Sequence, residues 1–207
     1  FGIEAWWDGA QEGRQKDQYV LALARDLEAD IANWEALVEG VPSKQASLDR
    51  VLAWVGAPDL AQGSVDALLQ DIVLGARMAY GGVAINPQRS TFNELVSTGT
   101  LELLGPALRH ALLEYEGQVD FARSQLIARE TGYAQTAYGL VPRDDEYTVS
   151  TELSASERVE AARRLVLDDL RTLAIAERNR ANLLRSRAEG LIQQATEVLD
   201  LIPRDSR

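Results

Sequence analysis

The last quarter of the chain carries an apolar repeat that a long amphipathic helix satisfies. Between positions 170 and 202, apolar or small residues recur every three or four positions, and Glu177 is the one polar interruption. This spacing matches the 3.6-residue turn of an α-helix and not the two-residue alternation of a strand. Because Ala and Leu alternate along it, the seam would let a neighbouring helix approach closely. Its members are Leu170, Ala174, Glu177, Ala181, Leu184, Ala188, Leu191, Ala195, Val198 and Ile202.

Similar periodicity elsewhere predicts an all-α fold. Two further long helices are expected over about 5–40 and 106–139, and the last one over 155–202. Gly40 and Pro42 are expected to end the first of these, and shorter helices are expected over 43–55 and 65–80. The sequence therefore predicts an antiparallel helical bundle of three long helices with shorter capping helices, in which the N-terminal helix continues from a transmembrane segment.

The stretch 91–119 is expected to turn the chain from a first helical layer into a second. Thr91 and Glu94 have the spacing of a capping box, in which each side chain satisfies a free backbone amide of the other residue. Gly99 fits the left-handed position that ends a helix, and Pro106 fits the first position of the next one. These signals favour a structural corner over a functional loop.

The longest expected loop, 141–153, is followed by a second capping box formed by Ser154 and Glu157. The loop contains the acidic run Asp144, Asp145 and Glu146, which could hold a calcium ion weakly but lacks the spacing of an EF-hand. We expect solvated charge there.

The first residues are apolar and aromatic, and the sequence then turns abruptly polar from Asp8 onward. Paired tryptophans at the end of an apolar run are typical of a helix that leaves a bilayer. Because the chain begins with Phe1 and not Met, we expect the rest of a transmembrane helix upstream. The alternative is an ordinary amphipathic N-terminus packed on its own domain. The expected division is 1–14 for the end of the transmembrane helix and 15–207 for a single helical bundle domain, with membrane-interface residues Phe1, Ile3, Trp6 and Trp7.

The order of these features resembles a family of uncharacterised bacterial single-pass membrane-anchored helical proteins. The resemblance covers roughly the first three-fifths of the chain. The matching residues are Trp6 and Trp7, then Tyr19, Leu23, Asp26 and Leu27, then Glu94, Leu95, Ser97, Gly99 and Leu101, and finally Leu108, Arg109 and Tyr115. The resemblance implies a membrane anchor and a helical domain, and it implies no catalytic residues.

Composition and motifs argue against several classes of function. The net charge of −11 would repel a phosphate backbone, so no nucleic-acid partner is expected. The chain has no cysteine, which excludes thiolate chemistry and iron–sulfur clusters. His110 is the only histidine, and a di-iron bundle needs two Glu-x-x-His motifs. We therefore expect no enzyme, no metal and no cofactor.

The sequence favours a membrane-anchored, non-enzymatic helical protein that acts through protein contacts, either as an oligomer or as an accessory subunit of a membrane assembly. Its partners would be the lipid bilayer, through the N-terminal segment, and another protein or a second copy. The inner membrane is expected, with the domain in the periplasm. The possible partner seam is Leu184, Leu191, Val198 and Ile202. The alternative is a sensory, ligand-binding helical domain with pocket walls at Tyr80, Phe92, Tyr115 and Tyr133.

Overall fold

The structure, a computed structural model, describes residues 2–76, 87–124, 131–144, 148–167 and 170–203, with side chains described from position 13 onward and not at 166 and 167. The predicted all-α class is confirmed. The described residues form seven α-helices and a 3-10 helix (Thr100–Leu103). The α-helices are α1 (Gly2–Gly56), α2 (Gln62–Ala76), α3 (Ser90–Ser97), α4 (Pro106–Ala122), α5 (Gly132–Leu140), α6 (Ala155–Leu167) and α7 (Leu170–Asp200).

Helix α1 does not end at Gly40 and Pro42, so that prediction was wrong and the two helices expected over 5–40 and 43–55 are one. Pro42 lies inside α1. A proline there removes a backbone hydrogen bond and crowds the carbonyl four residues back, at a cost of about 3 kcal/mol. Leu37, Val41 and Leu48 are buried on both sides of it. This burial of apolar surface outweighs the local penalty and keeps the helix continuous.

The helix expected over 106–139 is also not a single helix. Thr131 has an extended backbone, with φ −88° and ψ 155°, and its side chain accepts a hydrogen bond from the backbone N–H of Ala134. Thr131 is therefore the N-cap of a new helix, α5. The apolar spacing that predicts a helix over 106–139 continues past this position, through Tyr133 and Ala137. The spacing therefore gives no indication that a new helix begins at Thr131. The last expected helix is described as α6 and α7, on either side of positions 168 and 169, which lie outside the described residues.

The chain divides into two compact units. The expected division into a membrane-exit segment over 1–14 and one helical bundle domain over 15–207 stays a prediction. The first unit comprises residues 1–35, 85–123 and 187–207, and the second comprises 36–84 and 124–186. Both α1 and α7 contribute to each unit. In the second unit, α2 packs on α5 and α6.

The N-terminus of α3 is capped from another helix and not by the predicted box. Oδ2 of Asp26 in α1 accepts the backbone N–H of Thr91 at 3.1 Å. Glu94 instead accepts a hydrogen bond from the hydroxyl of Tyr19 at 3.1 Å. The Thr91–Glu94 capping box is therefore wrong. A carboxylate aimed at a helix N-terminus satisfies the same free amides, so Asp26 takes over the role from a distant part of the chain.

The other local signals are confirmed. Gly99 has φ +70°, the left-handed conformation that favours glycine. Pro106 is the first residue of α4. In the second box, Oε2 of Glu157 accepts the backbone N–H of Ser154 at 2.8 Å, and Oγ of Ser154 accepts the backbone N–H of Glu157 at 3.4 Å. Across the part of the chain that the structure describes, no helix is both long enough and apolar enough to cross a bilayer.

Candidate functional site

The first unit buries a chain of polar groups between α1 and α4. Asp30 and Trp34 project from α1, one turn apart, and meet Tyr115 of α4. The indole N–H of Trp34 donates to the Tyr115 hydroxyl at 3.3 Å. That hydroxyl donates to Oδ2 of Asp30 at 2.8 Å, and the backbone N–H of Gln88 donates to Oδ1 at 2.7 Å. Both carboxylate oxygens of Asp30 are therefore used inside the protein.

Arg89, the residue before α3, ties the same region to α4. Its Nε lies 2.6 Å from Oε2 of Glu116, and Nη2 lies 3.2 Å from Oδ2 of Asp120. Its guanidinium also stacks over the ring of Phe92, 5.5 Å from the centroid. Glu116 is buried whereas Asp120 is exposed. The chain that leads into α3 is thus held by carboxylates from two helices, Asp26 and Asp30 on one side and Glu116 and Asp120 on the other.

Burial governs the ionisation of this cluster. Burial raises the pKa of Glu116 to about 7, although the Arg89 guanidinium opposes the rise. Burial also raises the pKa of Asp30, against hydrogen bonds from Gln88 and Tyr115 that lower it. The pKa of the Tyr115 hydroxyl is raised by burial and by the nearby Asp30 charge. The hydroxyl therefore stays protonated and donates to Asp30.

The described contacts give this cluster the properties of a structural joint. Asp30, Trp34 and Tyr115 are joined by hydrogen bonds, and Glu116 forms an ion pair with Arg89 in which Nε and Oε2 are close but not aligned as a hydrogen bond. Asp30, Trp34, Tyr115 and Glu116 are all buried. A substrate would have to break these contacts before it could reach the side chains of the cluster. Among the described residues, no group of three or more His, Asp or Glu side chains is placed to hold a metal ion.

A second buried polar pair lies in the other unit. The ammonium of Lys44 in α1 bonds Oε1 of Glu177 in α7, and both side chains are at most 5% exposed. Nη1 of Arg180 lies 3.5 Å from the same carboxylate oxygen. Burial lowers the pKa of Lys44, and the Glu177 charge opposes that change. Glu177 is therefore buried within its seam, where it forms an ion pair between α7 and α1.

Asp144 uses its carboxylate inside its own loop. It accepts hydrogen bonds from the Ser150 hydroxyl at 2.6 Å and from the backbone N–H of Thr151 at 2.9 Å. These bonds lower its pKa. They lie next to the isolated antiparallel bridge between Arg143 and Val149. The other two residues of the acidic run, Asp145 and Glu146, lie outside the described residues.

The solvent side of α7 has a different character. Ile175 and Leu183 are 43% and 52% exposed, high values for large apolar side chains. They lie on a strip of seven exposed positions that includes no charge. At 100° per residue this strip covers about 120° of the helix and lies opposite the buried seam. We call it the outer face of α7, and it comprises Thr172, Ile175, Ala176, Asn179, Asn182, Leu183 and Ser186.

The predicted partner seam lies on the other side of the same helix. Its four residues, Leu184, Leu191, Val198 and Ile202, are each at most 3% exposed, covered by this chain itself. That a partner binds there stays a prediction, and such a partner would first have to displace the chain's own side chains. Of the predicted membrane-interface residues, Phe1 and the side chains of Ile3, Trp6 and Trp7 lie outside the described residues.

The predicted pocket walls are dispersed. Tyr115 is buried in the first unit, bonded to Asp30 and Trp34. Tyr133 is buried in the second unit, where its hydroxyl donates to the carbonyl oxygen of Ile72 at 3.4 Å. Phe92 is partly exposed and stacks with Arg89. Tyr80 lies outside the described residues.

The sequence contains a signal for the buried acids Asp30 and Glu116, which is their position within the apolar repeats of their helices. Asp30 lies three residues after Leu27 and four before Trp34, which places it on the apolar face of its helix. Glu116 lies four residues after Leu112 and three before Val119, so it too lies on the apolar face of its helix. A carboxylate on an apolar face needs a partner, but helix periodicity cannot say which residue supplies it.

Comparisons with protein-family models, with curated proteins and with solved structures find no match to this chain. The family resemblance therefore stays a prediction.

Proposed function

We propose that this chain is the helical part of a non-enzymatic, membrane-anchored protein that works through protein contacts, as an oligomer or as an accessory subunit of a membrane assembly. The observation that carries the proposal is the outer face of α7. Charged residues make up 26% of the chain, yet seven exposed positions on this face are uncharged and two of them are large and apolar. Such a surface is typical of a place where another protein binds.

The buried polar clusters also support a role in contacts over one in catalysis. Catalysis needs a nucleophile, base or acid that can reach a substrate. Asp30, Tyr115 and Glu116 are instead hydrogen-bonded or ion-paired inside the first unit, and Lys44 and Glu177 inside the second. Their contacts join separate helices, which is a structural use.

The membrane anchor and the bundle geometry are further parts of the proposal. The aromatic N-terminal segment with Trp6 and Trp7 supports an anchor in the inner membrane, and we place the helical domain in the periplasm. The resemblance to single-pass helical proteins points the same way. The helices would form an antiparallel bundle built on the long α1 and α7.

The test is the assembly state of the full-length protein extracted in mild detergent. We expect it to migrate above its monomer mass and to give cross-linked species, either with itself or with a co-purifying protein. A strict monomer without a partner would count heavily against the proposal. If the full-length protein is recovered in the soluble fraction without detergent, the proposed membrane anchor is wrong. The proposed role in protein contacts is not affected by that result.

The alternative, a sensory domain that binds a small ligand, has less support. The hydroxyl groups of Tyr115 and Tyr133 are bonded to groups of their own units, and both side chains are buried. A ligand site needs polar groups that converge on open space. A small molecule that co-purifies with the protein would revive this alternative.

A further inference from the structure

Arginines border the outer face of α7. Between positions 170 and 186 the helix carries Arg171, Arg178, Arg180 and Arg185, and its one acid, Glu177, is buried against Lys44. Arg171, Arg178 and Arg185 are exposed and follow one another at intervals of seven residues, so they line one edge of the face. Arg180 lies beyond the opposite edge. This positive border stands out in a chain whose net charge is −11.

The arginines argue against a second copy of this chain as the occupant. Two copies that pair antiparallel about Asn179 would bring Ile175 of one against Leu183 of the other, a favourable contact. The same register brings the edge that carries Arg171, Arg178 and Arg185 in one copy beside the same edge of the other, because like edges meet when two helices pair antiparallel. Because this segment exposes no acid, other self-pairings also set arginine against arginine, and like charges across helices weaken pairing.

An acidic helix fits the same surface. Carboxylates at the edges of the partner helix would lie beside the row of three arginines on one side and beside Arg180 on the other. Its apolar positions would cover Ile175 and Leu183. These two residues are eight positions apart, about 12 Å along the axis. Arg178 already pairs with Asp49 at 3.1 Å and is still half-exposed, so its other N–H groups can donate to a further carboxylate.

We propose that the outer face of α7 is the docking site for an acidic amphipathic helix of another protein. The inference rests on the proposed function in contacts and names the chemistry of the partner. Ile175 and Leu183 supply contact area, and the bordering arginines favour a partner helix with negative charge at its edges. The face spans about 21 Å, so four turns of a partner helix suffice to cover it.

The probe is a labelled amphipathic helical peptide of about three heptads with leucines along one face and glutamates on both flanks. A matched peptide carries lysines in place of the glutamates. We measure binding of both to the purified chain by fluorescence anisotropy. The acidic peptide should bind at least about tenfold more tightly, and salt at about 0.5 M should weaken it.

Two substitutions on the outer face of α7 and one control substitution elsewhere test where the peptide binds. Ile175→Glu and Leu183→Glu should each weaken binding of the acidic peptide at least about tenfold, because each removes an apolar contact and adds repulsion. Leu60→Glu is the matched control, since Leu60 is 41% exposed in the same unit but is not on α7, and it should bind as the parent chain does. All three positions are exposed, so far-ultraviolet circular dichroism should show unchanged helix content.

Equal binding of the two peptides, or unchanged binding by Leu183→Glu, would overturn the inference. Self-association in sedimentation experiments that Leu183→Glu abolishes would also overturn it, since the occupant would then be a second copy. If complexes of the full-length protein in detergent survive both glutamate substitutions, the proposed function stands and only this docking site fails.

Discussion

Asp26 of α1 accepts the backbone N–H of Thr91 at the start of α3, 65 residues along the chain. Neighbouring groups reinforce this contact, since the Ser90 hydroxyl donates to the same Oδ2 at 3.3 Å. Asp30, one turn later in α1, accepts the amide of Gln88. The eight-residue helix α3 therefore depends on α1 for its N-terminal capping, and this dependence can be tested directly.

Replacing Asp26 by Ala should lower the free energy of unfolding by about 1 kcal/mol, the usual value for a lost N-cap acceptor. Replacing Glu94 by Ala should change it by less than about 0.5 kcal/mol, because Glu94 makes one exposed hydrogen bond and caps nothing. Urea unfolding of the two variants measures both changes. A larger loss for Glu94→Ala would favour the predicted capping box after all.

Glu116 should make stability depend on pH in an unusual direction. Its folded pKa of about 7 lies above the unfolded value of 4.5, so the folded state holds the proton more tightly. The corresponding stability is fully present below pH 4.5 and is lost as pH rises through 7. The difference in unfolding free energy between the parent chain and Glu116→Gln should therefore fall between pH 5 and 8, by about 2 kcal/mol.

Urea unfolding of both proteins at pH 5, 6, 7 and 8 measures that difference. Subtracting the variant removes the contributions of Asp30 and of other carboxylates, which titrate in both proteins. A difference that grows with pH would mean that attraction to Arg89 outweighs burial.

Lys44 and Glu177 should behave as a coupled pair. Lys44→Met removes the ammonium that pairs with the buried Glu177 carboxylate and leaves the more distant Arg180 contact, and it should cost about 3 kcal/mol of unfolding free energy. Glu177→Gln should likewise destabilise by leaving the lysine uncompensated. The double variant should cost clearly less than the sum of the two single changes. Additive losses in denaturant unfolding would show that the two side chains do not interact.

Pro42 should limit the stability of α1. Pro42→Ala restores a backbone N–H and removes crowding inside a continuous helix, so we expect stabilisation of about 1–2 kcal/mol after allowing for the freer unfolded chain. Pro203→Ala is the matched control, because Pro203 follows α7 and lies outside any helix, and it should change stability by less than about 0.5 kcal/mol. Thermal unfolding reads out both. Destabilisation by Pro42→Ala would mean that the chain breaks at this position.

Periodicity predicted the buried face of α7 well. All ten seam positions, from Leu170 to Ile202, are buried, including Glu177. It did not predict the helix start at Thr131. The apolar residues before and after Thr131 keep the same helical spacing, so the pattern is the same as that of one continuous helix. The candidate site was predicted less well still. The outer face of α7 was not predicted, because it mixes polar and apolar residues. The apolar repeat marks only the seam on the opposite side of the helix.

The sequence by itself determined what depends on neighbours a few residues apart: the all-α class, the faces of the helices, the Ser154–Glu157 box and the Gly99 turn. Each of these follows from dihedral preferences and from contacts within one or two turns. The tertiary structure alone decided that α1 continues through Pro42, that Asp26 caps α3 and that Lys44 meets Glu177. These outcomes depend on burial and on polar contacts between residues 65 and 133 positions apart. No local pattern records which distant residue will supply the partner.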